Sequence, residues 1–590
     1  MAPMKARRRV SSILVATLAC LTVILGLAAS AVALVPESEL PFGGWRTANH
    51  VAGLPNAAWP LSPAMIANED SARSPSEPLI PQAFIPLIAQ LLAGGPLVVG
   101  RSSDSVLLDS GAALDSESWR VICEVMEPLV RLEGTTTKPI PWLAESWEST
   151  DSQTWTFHLR HDVRFHDGTP FNAAVVKWNF DRWRDPTNPY RFGRSFDYYA
   201  AVFSGDSAIE DIRIIDDYTI QIKLAQPSAT ILTNLALCGA FSMNNPQAVI
   251  AHGALYGTPG TLVPGTGAFQ LTEWVPNDHI TLARNVGWWK GPVRLDGIVF
   301  RVIADSSARL AELLAGTIHT GDLDQQDIPA AEADPHVTVY QRPPLTTGYI
   351  AFQQCTVPFN DQRVRAAIGH AVNWANLIAP FYGRNGQLAG SFQPPTIFGS
   401  DPTVTPIAYD PQRARDLLAA AGYPDGFTTD FWYLPVIRNY FPDPLPMAQA
   451  IASDLARVGV RVNLQTKPWS NYLVDRSQGK FPMWMLGWGA DTGDPDNYLG
   501  ALFSHPIGQP KQEDCYNNDR VAELLIQGRV TVDLDERIAL YQEAEQLIHA
   551  DVARIPVAWV SSPIVMRNEV QGYTPMVFRS GYENVWIKRD

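Results

Sequence analysis

Alternating hydrophobic and polar positions predict strands in the first half of the chain. In TWTFHLR (154–160), Trp155, Phe157 and Leu159 are separated by polar or small residues, and DDYTIQIKL (216–224) repeats the pattern. A period of two residues places such side chains on one face of a half-buried strand. HITLAR and IVFRVI carry the same signal between residues 279 and 303.

Helical periodicity and capping residues occur between and after these strands. Asn172 precedes apolar positions spaced for one helix face, and Asp410 followed by Pro411 is a typical helix start, with Gly422 beyond the last turn. PLPMAQAIASDLARVGVRVNL (444–464) predicts a helix that leads directly into a strand, and a long helix is predicted from about Asp535. Helices that alternate with strands indicate an α/β fold.

The N-terminal segment predicts export. Four basic residues lie within positions 5–9, and the uncharged run 10–35 ends in AASAVA, which offers A-x-A cleavage sites. A basic region, an apolar region and small residues at the end are typical of a secretory signal peptide. The run is also long enough to span a bilayer, so a retained membrane anchor is the alternative.

Composition narrows the possible functions. The chain has 590 residues, 46% of them hydrophobic, which predicts more than one folded domain. A formal charge of −15 argues against a nucleic-acid partner, because phosphates require a basic surface. The chain has five cysteines, of which Cys20 lies in the predicted signal segment. The other four, Cys123, Cys238, Cys355 and Cys515, are widely spaced and allow one or two disulfides without revealing their pairing.

No catalytic or metal motif is present. G-x-S-x-G, H-E-x-x-H and the Walker phosphate loop are all absent from the sequence. The acidic loop GWGADTGDPDNYLG (487–500) resembles a calcium loop only superficially, since Gly493 and Pro495 stand at the third and fifth positions counted from Asp491, where oxygen ligands are needed. We therefore expect a binding protein with no cofactor and no metal, and not an enzyme.

Four long segments resemble one known family. PWLAESWESTDSQTWTFHLRHDVRFHDGTPFNAAVVKWNFDR (141–182), GTGAFQLTEWVPNDHITLARNVGWWKG (265–291), PFNDQRVRAAIGHAV (358–372) and YDPQRARDLLAAAGYPDGF (409–427) are similar to the family 5 extracellular solute-binding proteins of ABC transporters. Within that family the chain resembles the dipeptide-binding branch most. The resemblance implies a class II periplasmic-binding-protein fold, in which two lobes close around a ligand and the first lobe carries an additional small domain.

The residue pattern before position 98 and the family resemblance after it together imply a domain layout, in which residues 36–97 lie outside the family pattern. Residues 1–35 are the signal peptide or anchor, and 36–97 form a Pro- and Ala-rich linker without an assigned role. The first lobe spans 98–307, with the small domain at about 141–244. The second lobe spans 308–562, and 563–590 return to the first lobe. Hinges are expected near 305–310 and 560–565.

Two motifs resemble the ligand site of the dipeptide binders. In LPVIRNYFPDP, Arg438 matches the arginine that meets the peptide carboxylate, and Tyr440 follows it. In GWGADTGDPDN, Asp491 matches the acceptor of the peptide α-amine, with Trp488 before it and with Asp494 and Asp496 expected to shape the turn. Two terminal charges are common to all peptides, so this pair would tolerate varied side chains.

The resemblance thus predicts an exported, monomeric receptor that delivers dipeptides or short oligopeptides to membrane permease subunits. Other solutes such as nickel chelates, oligosaccharides or haem are the alternative ligands, because one fold hosts many functions. A membrane-anchored sensory ectodomain is the alternative role. The sequence does not identify the residues of the first lobe that line the pocket. The segments around Glu127 and Met243 are candidates. The family's loop disulfide is also in doubt, because the loop after Asp491 contains Cys515 alone, with His505 near the position of its expected partner.

Overall fold

The computed structural model describes residues 95–588, with the exception of Asp491 and Arg579. The predicted signal peptide or anchor and nearly all of the linker lie outside the described residues. In the part that is described, no helix combines the length and the apolar character needed to cross a membrane.

A seven-stranded mixed sheet forms the first lobe. Its strands, in spatial order, are Val337–Gln341, Pro563–Arg567, Thr320–Gly321, Leu97–Arg101, Gly297–Val302, His279–Arg284 and Phe269–Val275. Leu97–Arg101 pairs in parallel with the strands on either side of it. Along this strand Leu97 and Val99 pack into the large core, whereas Val98 packs into a smaller one on the other face. Both faces of the strand are therefore buried, as is usual for parallel strands.

A six-stranded sheet forms the second lobe. Its strands, in spatial order, are Gly386–Leu388, Arg554–Val560, Thr346–Phe352, Met483–Gly489, Thr428–Trp432 and Arg461–Gln465. Tyr349, Trp484 and Ile555 lie in its own hydrophobic core, separate from that of the first lobe. Two cores built on two sheets establish the two-lobed α/β architecture that the sequence predicted.

A four-stranded antiparallel sheet joins the first lobe, within the region predicted for the small domain. Its strands, in spatial order, are Ala144–Glu148, Thr154–Leu159, Thr219–Leu224 and Ile209–Asp216. Trp155, Phe157 and Leu159 are all buried, which confirms the strand predicted from their alternation. Two short pairs, Val130–Leu132 with Pro139–Pro141 and Val570–Gln571 with Trp586–Ile587, complete the described strands.

Helices cover the sheets and begin where the capping residues predict. Asn172 and Asp410 each accept a backbone N–H of the first helical turn, and Pro411 occupies the first helical position. The described α-helices are Ser116–Val125, Ala173–Arg184, Asp197–Val202, Ile231–Leu235, Cys238–Phe241, Pro246–His252, Ser306–Ala315, Ile328–Glu332, Gln362–Ala371, Ala375–Leu377, Pro411–Ala420, Pro444–Ala456, Trp469–Ser477, Ala501–Phe503, Asp519–Val530 and Leu534–Ala550.

Sheet membership changes at a different place from the lobe boundary predicted at residue 308. The helix Ser306–Ala315 leads to Thr320–Gly321, which rejoins the seven-stranded sheet, and Val337–Gln341 also belongs to that sheet. The chain crosses only between residues 341 and 346, and it returns between 560 and 563. The prediction of a hinge near 305–310 is therefore wrong, because that segment begins a helix that connects two strands of the same sheet.

Both cysteine pairs form disulfides within the lobes. Cys123 is bonded to Cys238 in the first lobe, with their Cα atoms 5.3 Å apart. Cys355 is bonded to Cys515 in the second lobe, with a Cα separation of 5.5 Å. The partner of Cys515 is thus remote in sequence, and His505 instead accepts the backbone N–H of Asn518 through Nε2.

Candidate functional site

The candidate ligand residues lie at the end of the second-lobe sheet that faces the first lobe. Thr346 pairs with Gly489 on one side and with Val560 on the other, so these three residues mark the end where the chain enters and leaves the lobe. Trp488 lies at this end. The loop that carries Arg438 and Tyr440 follows Thr428–Trp432, which runs parallel to Met483–Gly489 and ends at the same edge. The structure thus brings three of the four predicted residues to one edge.

Tyr440 rests on a pair of glycines in the sheet. Gly348 and Gly487 are directly opposed on neighbouring strands. A Cβ atom on Gly487 would lie 2.2 Å from Cγ of Tyr440, and one on Gly348 would lie 2.5 Å from its carbonyl oxygen. That carbonyl also accepts the Tyr382 hydroxyl at 2.9 Å. The glycines therefore admit Tyr440 against the sheet, and burial raises the pKa of its hydroxyl while the nearby Arg438 opposes the rise.

Arg438 presents its guanidinium to solvent on an aromatic surface. Its backbone N–H and C=O both bond to Phe441, which closes a tight turn. Its Cζ lies 5.1 Å from the ring centroid of Trp469, a cation–π distance. Among the described residues no carboxylate forms an ion pair with Arg438, whereas most arginines of this chain have one. Because Arg438 is exposed and pairs with no described carboxylate, its guanidinium is available to an anionic group of a ligand.

Trp488 anchors the loop that follows it. Its indole Nε1 donates to the carbonyl oxygen of Asn497 at 2.7 Å, which ties the two ends of the loop together. The ring is half-buried and packs on the core of the second lobe. Because the N–H is engaged within the loop, Trp488 offers a ligand its aromatic surface and no free donor.

Asp491 itself lies outside the described residues, and its role as the amine acceptor stays a prediction. The residues around it are held in place. Ala490 donates its backbone N–H to Leu345 at 3.0 Å. Gly493 has φ of 69°, and a Cβ there would lie 2.8 Å from Cβ of Thr137 in the first lobe. The loop is therefore packed between the two lobes.

The two later acids of the loop are both engaged, and Asp494 is buried. Asp494 is 1% exposed and receives both terminal nitrogens of Arg537, at 2.9 and 2.7 Å. It also accepts the Asp496 backbone N–H at 2.9 Å. Asp496 pairs with Arg529 at 3.2 Å, and burial raises the pKa of its carboxyl group. Asp494 shapes the turn as predicted, and both acids additionally form ion pairs that hold it.

Sequence reasoning missed Trp469 and left Glu127 and Met243 open. Trp469 begins the helix Trp469–Ser477, and only its proximity to Arg438 in three dimensions marks it. Glu127 and Met243 are both fully buried, so neither lines an open cleft. Glu127 instead accepts the indole N–H groups of Trp142, Trp288 and Trp289 at 2.8 to 3.1 Å.

The arrangement suits the binding of a charged or aromatic solute. The candidate site offers an exposed guanidinium that pairs with no carboxylate of the described residues, a phenol and indole surfaces, which recognise anionic and apolar groups. No cluster of three or more histidine, cysteine or acidic side chains in the described part of the chain has the geometry of a metal site. The guanidinium, the aromatic surfaces and two lobes joined by two crossing segments are the features of a solute-binding protein.

Comparisons with known proteins identify the family. The profile of the bacterial extracellular solute-binding proteins, family 5 Middle, matches residues 138–509. Heme-binding protein A of Haemophilus influenzae is 34% identical over 478 residues, covering 78% of this chain and 86% of that protein. The dipeptide-binding protein of Escherichia coli is 33% identical over 499 residues, covering 82% and 92%.

A solved structure agrees with the fold. HbpA2 of Haemophilus parasuis superposes with a TM-score of 0.77 at 28% identity, covering 84% of this chain and all of that one. The chain belongs to the family 5 extracellular solute-binding proteins, and it has the two-lobed periplasmic-binding-protein fold.

Proposed function

We propose that the protein is the extracytoplasmic receptor of an ABC importer for dipeptides or short oligopeptides. The observation that carries the proposal is Arg438, which is solvent-exposed, supported by Trp469 and without a carboxylate partner among the residues described. A guanidinium of this kind binds a carboxylate with two parallel hydrogen bonds. The peptide α-amine would be bound by Asp491, and Tyr440 and Trp488 would line the ligand's path between them.

Charge and shape recognition of this kind fits a transport receptor that releases its ligand unchanged. The described site offers no nucleophile paired with a base. Closure of two lobes around a peptide requires contacts that exist only in the closed state. The family supports a membrane permease as the partner that receives the ligand, and we propose that the receptor acts as a monomer. We further propose export by the N-terminal segment, which either is removed or remains as an anchor.

The test is calorimetry with dipeptides and with the same dipeptides as C-terminal amides. Arg438→Met should weaken binding of the free-acid peptide by about 10- to 100-fold, because a hydrogen bond to a charged group contributes about 1.5–3 kcal/mol. It should scarcely change binding of the amide, which has no carboxylate. Arg213→Met is the matched control, since Arg213 is also exposed but lies on the four-stranded sheet of the first lobe.

Haem is the second candidate, because the chain is 34% identical to heme-binding protein A and 33% identical to the dipeptide-binding protein. Absorbance titration with hemin, run beside the peptide calorimetry, separates the two. Stoichiometric hemin binding with no heat from dipeptides or tripeptides would overturn the peptide proposal. Peptide binding that Arg438→Met leaves unchanged would remove Arg438 from the site.

A further inference from the structure

One hydrogen bond joins the candidate binding loop to the first lobe. The hydroxyl of Thr233 donates to Oδ2 of Asp494 at 2.9 Å and shares its single proton with the carbonyl oxygen of Thr230, also at 2.9 Å, and both side chains are buried. Thr233 lies in the helix Ile231–Leu235, whose neighbours Ile231 and Leu235 belong to the first-lobe core. Asp494 follows the strand Met483–Gly489 of the second lobe. The bond therefore crosses between lobes, within a few residues of Trp488.

The acceptor is held rigidly by the second lobe. Arg537 donates to both oxygens of Asp494, and its own Nε donates to the carbonyl of Gly528 at 2.6 Å. Asp496 donates its backbone N–H to Oδ1. An ionised carboxylate offers about four acceptor positions. Three of these positions accept donors of the second lobe, and the fourth accepts the Thr233 hydroxyl. The second lobe therefore fixes the position of the carboxylate to which Thr233 is bonded.

Neighbouring contacts show that the helix Asp519–Val530, which supports the loop, also lies against the first lobe. Ala229 donates its backbone N–H to the carbonyl of Arg529 at 2.7 Å, and Arg529 is also the ion-pair partner of Asp496. The hydroxyl of Ser152 donates to the carbonyl of Val530. The two lobes thus meet along the segment 492–497 and along the residues that support it.

We propose that Thr233 is a positioning residue for ligand binding: its bond to Asp494 couples the segment 492–497 to the first lobe, so that ligand seating and lobe closure both depend on this bond. This proposal rests on the proposed peptide-binding function. Its physical basis is that an interaction formed preferentially in one of two conformations shifts their populations by its own free energy. Thr233 touches no ligand in this role and acts through the loop.

The test is Thr233→Val, which keeps the shape of the side chain and removes the hydroxyl. Dipeptide affinity should fall by about tenfold, chiefly through faster dissociation, and Thr233→Ser should restore it. Thr320→Val is the matched control, because the Thr320 hydroxyl is also buried and donates to a carbonyl, that of Val565, but within the first-lobe sheet. A purely structural role of Thr233 would lower the unfolding temperature as Thr320→Val does and leave affinity unchanged.

A second measurement needs no ligand. Spin labels at Val286→Cys in the first lobe and Val474→Cys in the second, both exposed positions, report the distance between lobes by pulsed electron resonance in a Cys20→Ser background. Thr233→Val should shift the distribution towards longer distances, whereas Thr320→Val should not. Identical distributions for the two variants would overturn the coupling. Failure of the unaltered protein to bind peptides would overturn the proposed function but leave this distance test decisive for Thr233.

Discussion

Replacing Gly487 with alanine should displace Tyr440 from the sheet. The added Cβ would lie 2.2, 2.4 and 2.6 Å from three carbon atoms of the Tyr440 ring. Non-bonded carbon atoms pack at about 3.5–4.0 Å, so the ring must shift by more than about 1 Å. Gly348, on the opposing strand, limits any compensating movement, because the Tyr440 carbonyl is already close to it.

The expected magnitude follows from overpacking. Forcing an extra methyl group into a packed site costs about 1–3 kcal/mol, while alanine in place of glycine in a strand otherwise recovers about 0.5–1 kcal/mol. We therefore expect a net loss of stability of up to about 2.5 kcal/mol. Since binding sites tolerate displacements of only about 0.5 Å, dipeptide affinity should fall by about tenfold or more.

Gly489 provides the control on the same strand. It lies two residues further along, on the same face, and a Cβ there would meet the Thr346 hydroxyl oxygen at 3.4 Å and the Leu345 carbonyl oxygen at 3.8 Å, which are ordinary contact distances. Thermal unfolding and peptide calorimetry on Gly487→Ala and Gly489→Ala, side by side, check the prediction. If Gly487→Ala binds peptides and unfolds like Gly489→Ala, the supporting role assigned to the glycine pair is refuted.

Two further predictions concern the second lobe. Burial raises the pKa of Glu545 to about 7, although its oxygens accept backbone N–H groups. The unfolded chain releases this proton near pH 4.5, whereas the folded protein keeps it until about pH 7. The free energy of unfolding should therefore fall by about 3 kcal/mol as the pH rises from about 4.5 to about 7. Urea unfolding at several pH values should show this fall for the unaltered protein and not for Glu545→Gln. Replacing both Cys355 and Cys515 with serine removes their disulfide and should lower the free energy of unfolding by about 2–5 kcal/mol. Urea unfolding of this variant and of the unaltered protein under non-reducing conditions measures the difference. An unchanged unfolding midpoint would contradict the prediction.

Local signals in the sequence were sufficient wherever structure depends on neighbours along the chain. The alternation at Trp155, Phe157 and Leu159 and the caps at Asn172 and Asp410 each predicted an element that the structure confirms. The four long motifs were sufficient for the family and its two-lobed architecture, which the comparisons bear out. The shorter motif LPVIRNYFPDP supplied Arg438 and Tyr440 as neighbours, because both lie in one short turn.

Only the tertiary structure decided what depends on contacts between remote segments. The crossing between lobes at 341–346 could not be read locally, since the helix Ser306–Ala315 looks the same whether the next strand joins the old sheet or a new one. The pairing of Cys355 with Cys515, the support of Arg438 by Trp469 and the bond from Thr233 to Asp494 each join residues that folding alone brings together. The sequence by itself therefore determined the elements, the family and the candidate ligand residues. The fold determined how those residues are supported, because burial and packing are properties of the assembled core.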